Sequence, residues 1–498
     1  MSERFDRMQL AKRNRWAFSL GTVGRDMTYN LFVLFLMTFI IYTKSLTDAQ
    51  YASISIIFVA CRVFDALIDP FIGGMVDATR SRFGKFKPWI FAGMLGAAID
   101  LVLLFTLPVY GWAFVGFVAV GYVMFSVFYS LNDIAYWGML PALSSQPAER
   151  TRLVSLSSIC AGAGAAPIVA LVPILTAGER TIGGNALRAY MIIAIATALC
   201  LLGFQSITLV GVKEPRAPAS EAPEEKPGFK QTVQTVLSND QLLWASVVLL
   251  IQGVISGMIN MGISMAYIYL VYGYNGMLAT LSMAGGISSI FVTLLLPRIL
   301  ARISRRRFMF LASAGLAVGA AILLISGVLP KDPWWLGFGI FSFANFFTTG
   351  GSVAIYQTLV IDIANTVEYN EWKTGRRSEG LIFAMRPLMV QLASAFTQLI
   401  NMVIFLVLGI THLNRGISDL ENAAERALIT PEEKLQGIQA LLDAAPKGKA
   451  LALLLCLALI PTALGLLGYW IYRTKFNLDE KKYGEILTAL EAGKGTAS

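Results

Sequence analysis

Long blocks of apolar residues alternate with short polar stretches along nearly the whole chain. A helix that crosses a bilayer needs roughly 20 mostly apolar residues. By that measure twelve spans are expected, the first six near 16–43, 50–76, 88–107, 111–140, 153–177 and 188–211. Six more fall near 240–272, 278–299, 308–329, 334–363, 380–411 and 450–473. Between the two sets lies "VKEPRAPASEAPEEKPGFK", whose Pro, Glu, Lys and Ala content is that of a linker. The pattern therefore predicts an N-terminal six-helix half (1–212), a cytoplasmic linker (213–239), a C-terminal half (240–473) and a cytoplasmic tail (474–498). A long loop of mixed charge near 412–449 interrupts the second half and is expected to be external and partly helical.

Composition agrees with a bilayer as the solvent. Of 498 residues 56% are hydrophobic and only 14% charged, with mean hydropathy +0.64. A soluble chain of this size needs a more charged surface, so an all-α integral membrane protein is expected. The start, "MSERFDRMQLAKRNRW", is basic and polar and leads into a full-length span, so no cleavable signal is predicted.

Basic residues cluster before the first span (Arg4, Arg7, Lys12, Arg13, Arg15), after the second (Arg80, Arg82, Lys85, Lys87) and after the fourth (Arg150, Arg152). They recur after the eighth (Arg302, Arg305, Arg306, Arg307) and the tenth (Lys373, Arg376, Arg377), while "LPVYGW" and "VYGYNG" carry none. The positive-inside rule then places both termini in the cytoplasm. The same placement explains the +9 net charge without nucleic acid, because the cations bracket spans instead of forming one patch. "DATRSRFGKFKPW" after span 2 is echoed by "RISRRRF" after span 8, as expected of duplicated six-span halves with a midplane substrate site between them. The single histidine, His412, falls in the predicted loop, and Cys61, Cys160, Cys200 and Cys456 read as packing thiols.

A few charges stand inside the spans, where each costs at least ~2.5–3.5 kcal/mol at mid-bilayer and so faces a cavity or a partner. Arg62, Asp65 and Asp69 share one face of span 2 at i, i+3 and i+7. An Arg–carboxylate staple explains one of the two acids. Two carboxylates one turn apart repel unless a cation or proton sits between them, which is what a coupling site requires. Span 4 carries Ser130, Asp133 and Trp137 on one face: a carboxylate to accept hydroxyl hydrogen bonds and an indole on which a sugar ring can stack, although a lone Trp also serves as core. Arg25 and Asp26 lie about 15 Å into span 1. As neighbours they point about 100° apart, so one is expected to line the cavity while the other snorkels or pairs elsewhere. Span 11 adds Arg386, Pro387 and Gln391; Arg386 either holds a substrate anion or neutralises an aspartate.

With these residues in view, the chain resembles the glycoside–pentoside–hexuronide:cation symporters of the major facilitator superfamily, whose familiar member is the melibiose carrier. The resemblance rests on "RVFDALIDPFIGGMVDATRSRFGKFKPW", "YSLNDIAYWGMLPAL" and "DIANTVEYNEWKTGRRSEG", in order, and on the closing "LGYWIYRTKFNLDEKKYGEIL". It implies a cation site at Asp65 and Asp69, with Ser130 in place of a threonine, Asp133 near both sites and Arg62 as tuning partner. It also implies sugar contacts from Asp26, Asp133 and Trp137, with Arg25 the basic neighbour of Asp26; Arg25, Tyr129, Arg386 and Gln391 are added to the candidate substrate set.

Three departures bear on substrate and ion. Ser158 stands where the melibiose carrier has a sugar-contacting arginine, and Gln391 where it has a membrane-embedded lysine. Ile68 replaces an asparagine that offers the cation an oxygen, which favours a proton over sodium. The resulting expectation is a symporter of the bacterial inner membrane that imports a sugar or glycoside with H+ or Na+ by alternating access. It needs no other cofactor and no obligate protein partner. Cation and substrate then raise each other's affinity by the same factor. Asp77, Arg80, Arg82, Lys85, Lys87, Glu368, Lys373 and Arg376 are expected to form charged gating contacts on the cytoplasmic face. The competing readings are a sodium-coupled lysolipid carrier, which Arg386 would suit through a lipid phosphate, a non-transporting sensor, and a membrane-embedded hydrolase. The last is disfavoured because the acids sit one turn apart on one helix instead of flanking a bond.

Overall fold

The computed structural model describes residues 2–143, 147–213, 239–260, 262–282, 285–329, 333–375 and 379–495. Among the described residues twelve helices are long and apolar enough to cross a membrane. We number them spans 1 to 6 (Lys12–Thr43, Asp48–Val76, Lys87–Thr106, Gly111–Leu140, Arg152–Thr176, Ala186–Gly211) and 7 to 12 (Asp240–Tyr272, Gly276–Leu300, Arg305–Val328, Trp334–Thr374, Met385–Val407, Gly448–Lys475). All twelve fall where the apolar blocks predict them, and most ends agree within a few residues.

Local chemistry explains several ends. Span 2 opens with a capping box: Gln50 donates its N–H to the Thr47 hydroxyl (3.2 Å) and its side-chain oxygen accepts the Thr47 N–H (3.0 Å). Span 10 outruns its expected end at 363 and stops only at Gly375, whose φ of 70° suits a left-handed cap. Asp362 lies inside this helix and is paired from two neighbouring ones. Its carboxylate accepts from Arg305 (2.5 Å) and from the Tyr472 hydroxyl (2.8 Å), and all three residues are buried. Span 7 is broken: one helix ends at Asn260, another begins at Ile263, and Gly262 between them has φ 70°.

The chain gathers into two compact units. The first holds Met1–Glu221, Gly273–Thr280 and Phe405–Ala445; the second holds Ala222–Tyr272, Leu281–Ile404 and Pro446–Ser498. Within the first, span 1 packs on 5 and 6, span 2 on 4, and span 3 on 4 and 6. Within the second, span 7 packs on 10 and 12, span 8 on 10, and span 9 on 10 and 12. The pairs 1·6, 2·4, 3·4 and 3·6 thus recur as 7·12, 8·10, 9·10 and 9·12, the signature of a repeated six-helix plan. Close backbone approach sets the first unit. A Cβ on Gly24 would come within 2.5 Å of the Cys200 carbonyl oxygen, and one on Gly164 within 2.2 Å of that of Val23. Small residues at helix contacts do the work that hydrophobicity cannot do in lipid.

After span 11 a left-handed Gly409 (φ 60°) ends one helix and starts another, so His412 lies on a helix, Ile410–Glu425, and not in a loop. A second helix, Pro431–Asp443, begins with a capping box in which Thr430 and Glu433 exchange bonds of 2.7 and 3.2 Å. The Thr430 N–H, with the Thr430 hydroxyl behind it, holds the Glu433 carboxyl below its ordinary range. The two helices form a hairpin belonging to the first unit.

Candidate functional site

Spans 1, 2 and 4 of the first unit bring most of the sequence-predicted polar residues together. The i, i+4 acids of span 2 meet i, i+4 serines of span 4 as two rungs. Ser130 donates to Asp69 Oδ1 (2.7 Å), and Ser126, one turn earlier, donates to Asp65 Oδ1. Arg62 approaches Asp65 on its own helix, Nη1 to Oδ2 at 3.9 Å, hydrogen bonds Tyr29 and lies over the Tyr122 ring at 5.8 Å. Ser126 was not legible as a site residue: a single serine in "GYVMFSVFY" looks like packing. The available signal was its four-residue spacing from Ser130, which matches that of Asp65 and Asp69.

The second cluster sharpens one expectation. Arg25 does not snorkel: it pairs elsewhere, with Asp133, and holds its neighbour Asp26 as well. It is buried, and its guanidinium bridges two acids: Nη2 meets Asp26 Oδ2 at 3.0 Å and Nη1 meets Asp133 Oδ1 at 2.9 Å. A long side chain folding back along its helix overcomes the 100° offset. The rings of Tyr136 and Trp137 each lie 5.0 Å from its central carbon, so cation–π contact secures the same fork. Trp137 also hydrogen bonds Asp133, and Tyr29 stacks on Tyr129 at 5.1 Å. The Asp133 side chain remains 37% exposed, leaving it reachable by a ligand. Asp69 and Asp26 both act electrostatically on Asp133, which joins the two clusters.

Four carboxylates and two guanidinium groups therefore make up this region. Such an acid-rich set in low dielectric favours uptake of a cation or proton, and Asp133 beside an indole presents acceptors to hydroxyl groups.

The remaining candidates lie elsewhere. Arg386 and Gln391 belong to the second unit, where Arg386 Nε donates to the Tyr356 hydroxyl (2.8 Å) and its guanidinium lies over that ring. Gln391 has a buried Oε1 with no hydrogen-bond partner among the described residues. Ser158 is exposed and bonds the carbonyl of Val154 in its own helix. Of the expected gating residues, Lys373 meets Asp240 at 2.5 Å and Glu368 accepts from Tyr483 (3.5 Å). Lys87 donates to the Val212 carbonyl (2.7 Å), while Arg82 and Lys85 lie over Phe83 and Phe86. Arg80 is exposed. Arg376, the Asp77 side chain and most of the linker lie outside the described residues.

A family model described as MFS/sugar transport protein matches residues 17–480. A lactose permease of Lactobacillus helveticus is 27% identical over 496 residues, covering 96% of this chain and 71% of its own. A raffinose carrier protein of Pediococcus pentosaceus is 24% identical over 498 residues, with coverage of 96% and 71%. In fold, the chain is similar to a bacterial homolog of the human lysosomal transporter Spinster in an inward-facing, unoccupied conformation (TM-score 0.58, 14% identity, 94% of this chain and 98% of that one). It is likewise similar to the nucleoside transporter NupG (TM-score 0.58, 11% identity, 92% and 100%).

Proposed function

The chain belongs to the MFS/sugar transport family, in its glycoside–pentoside–hexuronide branch, and is a multi-pass membrane protein; from that premise we propose that it imports a sugar or glycoside by cation symport. The observation that carries the reading is the pair of rungs, Asp65–Ser126 and Asp69–Ser130, placed beside the Arg25-bridged acids Asp26 and Asp133. In this reading the cation docks at Asp65 and Asp69 and removes their repulsion. The sugar takes its hydroxyl bonds from Asp26 and Asp133 and stacks on Trp137. Because Asp133 feels both clusters, occupation of one changes affinity at the other, and that coupling is reciprocal. The loaded carrier releases both ligands inward by alternating access. Both termini and the basic loops lie in the cytoplasm of a bacterium, with the inner membrane as its location.

A proton is the favoured ion, because Ile68 offers no oxygen. Sodium is the second reading, supported by the Ser126 hydroxyl, whose lone pairs stand beside Asp65.

The test follows external pH in de-energised, weakly buffered cells while a glycoside panel is added with and without sodium. Sugar-dependent alkalinisation lost in Asp65→Asn and Asp69→Asn is the expected result. Uptake driven by sodium alone would keep the symporter and change the ion. A chain coupled to neither ion for any sugar would end this reading.

A further inference from the structure

The hairpin formed by Ile410–Glu425 and Pro431–Asp443 comes from the chain between spans 11 and 12, yet its contacts lie in the first unit. It grips two places there. At the start of span 6, Glu421 Oε2 accepts the Ala186 N–H (2.7 Å) and Lys434 Nζ (3.3 Å), while Lys434 also donates to the Gly184 carbonyl (3.0 Å). Both side chains are fully buried, at 0% and 1% exposure. At the end of span 1, the Ser45 N–H donates to Ser418 Oγ (2.7 Å) and Asn422 donates to the Thr43 carbonyl (2.9 Å). Ser45 is held at φ 46°, a left-handed conformation unusual for a residue with a Cβ. Arg415 adds a bond to the Leu46 carbonyl (2.7 Å), and Thr411 one to Asp48 (2.7 Å).

This docking is polar and register-specific. A buried ion pair is a weak source of stability compared with apolar packing, but it fixes one geometry and is costly to half-break. Parting such a contact rewets charged and hydroxyl groups whose bonds water can replace, although Ile410, Ile417, Ile438 and Leu442 are buried alongside them. We propose that the hairpin is a releasable latch on the end of the first unit read above as external, undone and remade in each transport cycle. The inference rests on the carrier reading, since only a cycling carrier needs the contact to part. The Glu421–Ala186 and Lys434–Gly184 bonds, held in place by the Glu421–Lys434 pair inside the hairpin, are the bolt, and the Ser45–Ser418–Asn422 contact is the catch.

The test uses a background with Cys61, Cys160, Cys200 and Cys456 replaced by Ser. Oxidising Ser45→Cys/Ser418→Cys should stop uptake, and a reductant should restore it. Ser418→Cys alone should react slowly with a membrane-impermeant maleimide, and Glu421→Gln should speed that reaction at least about tenfold by removing a buried charge partner. Lys434→Met gives the same reading should Glu421→Gln not reach the membrane. An oxidised pair that carries sugar at the reduced rate overturns the latch. The alkylation arm needs no substrate, which separates the two ideas. A chain that moves no sugar still upholds the opening hairpin if Ser418→Cys reacts and either variant hastens it. Alkylation unchanged by both variants overturns it.

Discussion

The hydroxyl of Ser126 is hydrogen bonded to the carboxylate of Asp65, one helical turn from the Ser130–Asp69 bond. Losing a hydrogen bond to a buried carboxylate costs about 1–3 kcal/mol. Ser126→Ala removes a donor that favours the charged carboxylate, so it is expected to tighten the apparent affinity for a coupling proton about tenfold and to weaken that for sodium, with Ser126→Thr close to wild type. Sugar uptake titrated against the ion measures it. An unchanged half-saturation in Ser126→Ala would remove Ser126 from the site.

Arg25 serves two acids at once, so its replacement is not a simple loss of charge. Arg25→Lys keeps the charge but loses the planar fork. Its sugar affinity should fall by about tenfold or more while the protein still reaches the membrane. Arg25→Ala leaves two partly buried carboxylates unpaired, a defect below the roughly 3–5 kcal/mol of a fully buried pair, which should show as a lower yield of folded protein. Binding by isothermal calorimetry and yield of monodisperse protein report the two outcomes separately.

Backbone approach at Gly24 and Gly164 leaves no room for a side chain, whereas a Cβ on Gly203 of span 6 meets nothing within 4 Å. Gly24→Leu and Gly164→Leu should each destabilise by roughly 1–3 kcal/mol or more, and Gly203→Leu should be neutral. Thermal unfolding in detergent checks this. Equal losses at all three positions would contradict the packing account.

Lys44, just beyond span 1, sits among the rings of Phe39, Tyr110 and Phe114 and donates to the Leu107 carbonyl (3.2 Å). Burial pushes its ammonium down to about 8 from 10.5, against the pull of Glu425. The unfolded chain therefore holds this proton over a pH range where the folded chain has released it, so stability should rise between about pH 8 and 10. Lys44→Met should flatten that rise in a melting series at pH 7.5 and 9.5, each pH taken in the same buffer system. A slope that survives the substitution belongs to another group.

The spans were legible because a bilayer imposes a length and an apolar content that few other structures share. The acids of spans 1, 2 and 4 were legible because a charge in lipid needs a reason. Ser126 was not, since a hydroxyl in an apolar run costs little and leaves no trace. The reach of Arg25 back to Asp26 was missed because helical spacing describes Cβ directions, not the end of a long side chain. The partners of Asp362 in span 10, Arg305 and Tyr472, come from spans 9 and 12, a fact outside any local window. The grip of the hairpin was hidden for a different reason. Several of its partners are backbone groups, at Ala186, Gly184 and Leu46, which have no sequence signature.

That grip also separates the border a geneticist would draw from the one the fold respects. Gly273–Thr280 and Phe405–Ala445 are encoded in the second half of the gene and housed in the first unit. A chain severed in the linker would yield an N-terminal fragment with its Ser45 turn uncovered. Its companion would carry a hairpin whose Glu421 and Lys434 keep each other but lose the Ala186 N–H and the Gly184 carbonyl. The two halves of the chain therefore depend on each other structurally: recombination at the linker with a distant relative would set Ser418 and Glu421 against turns of another sequence, and such chimeras should fail at the hairpin before they fail at the sugar.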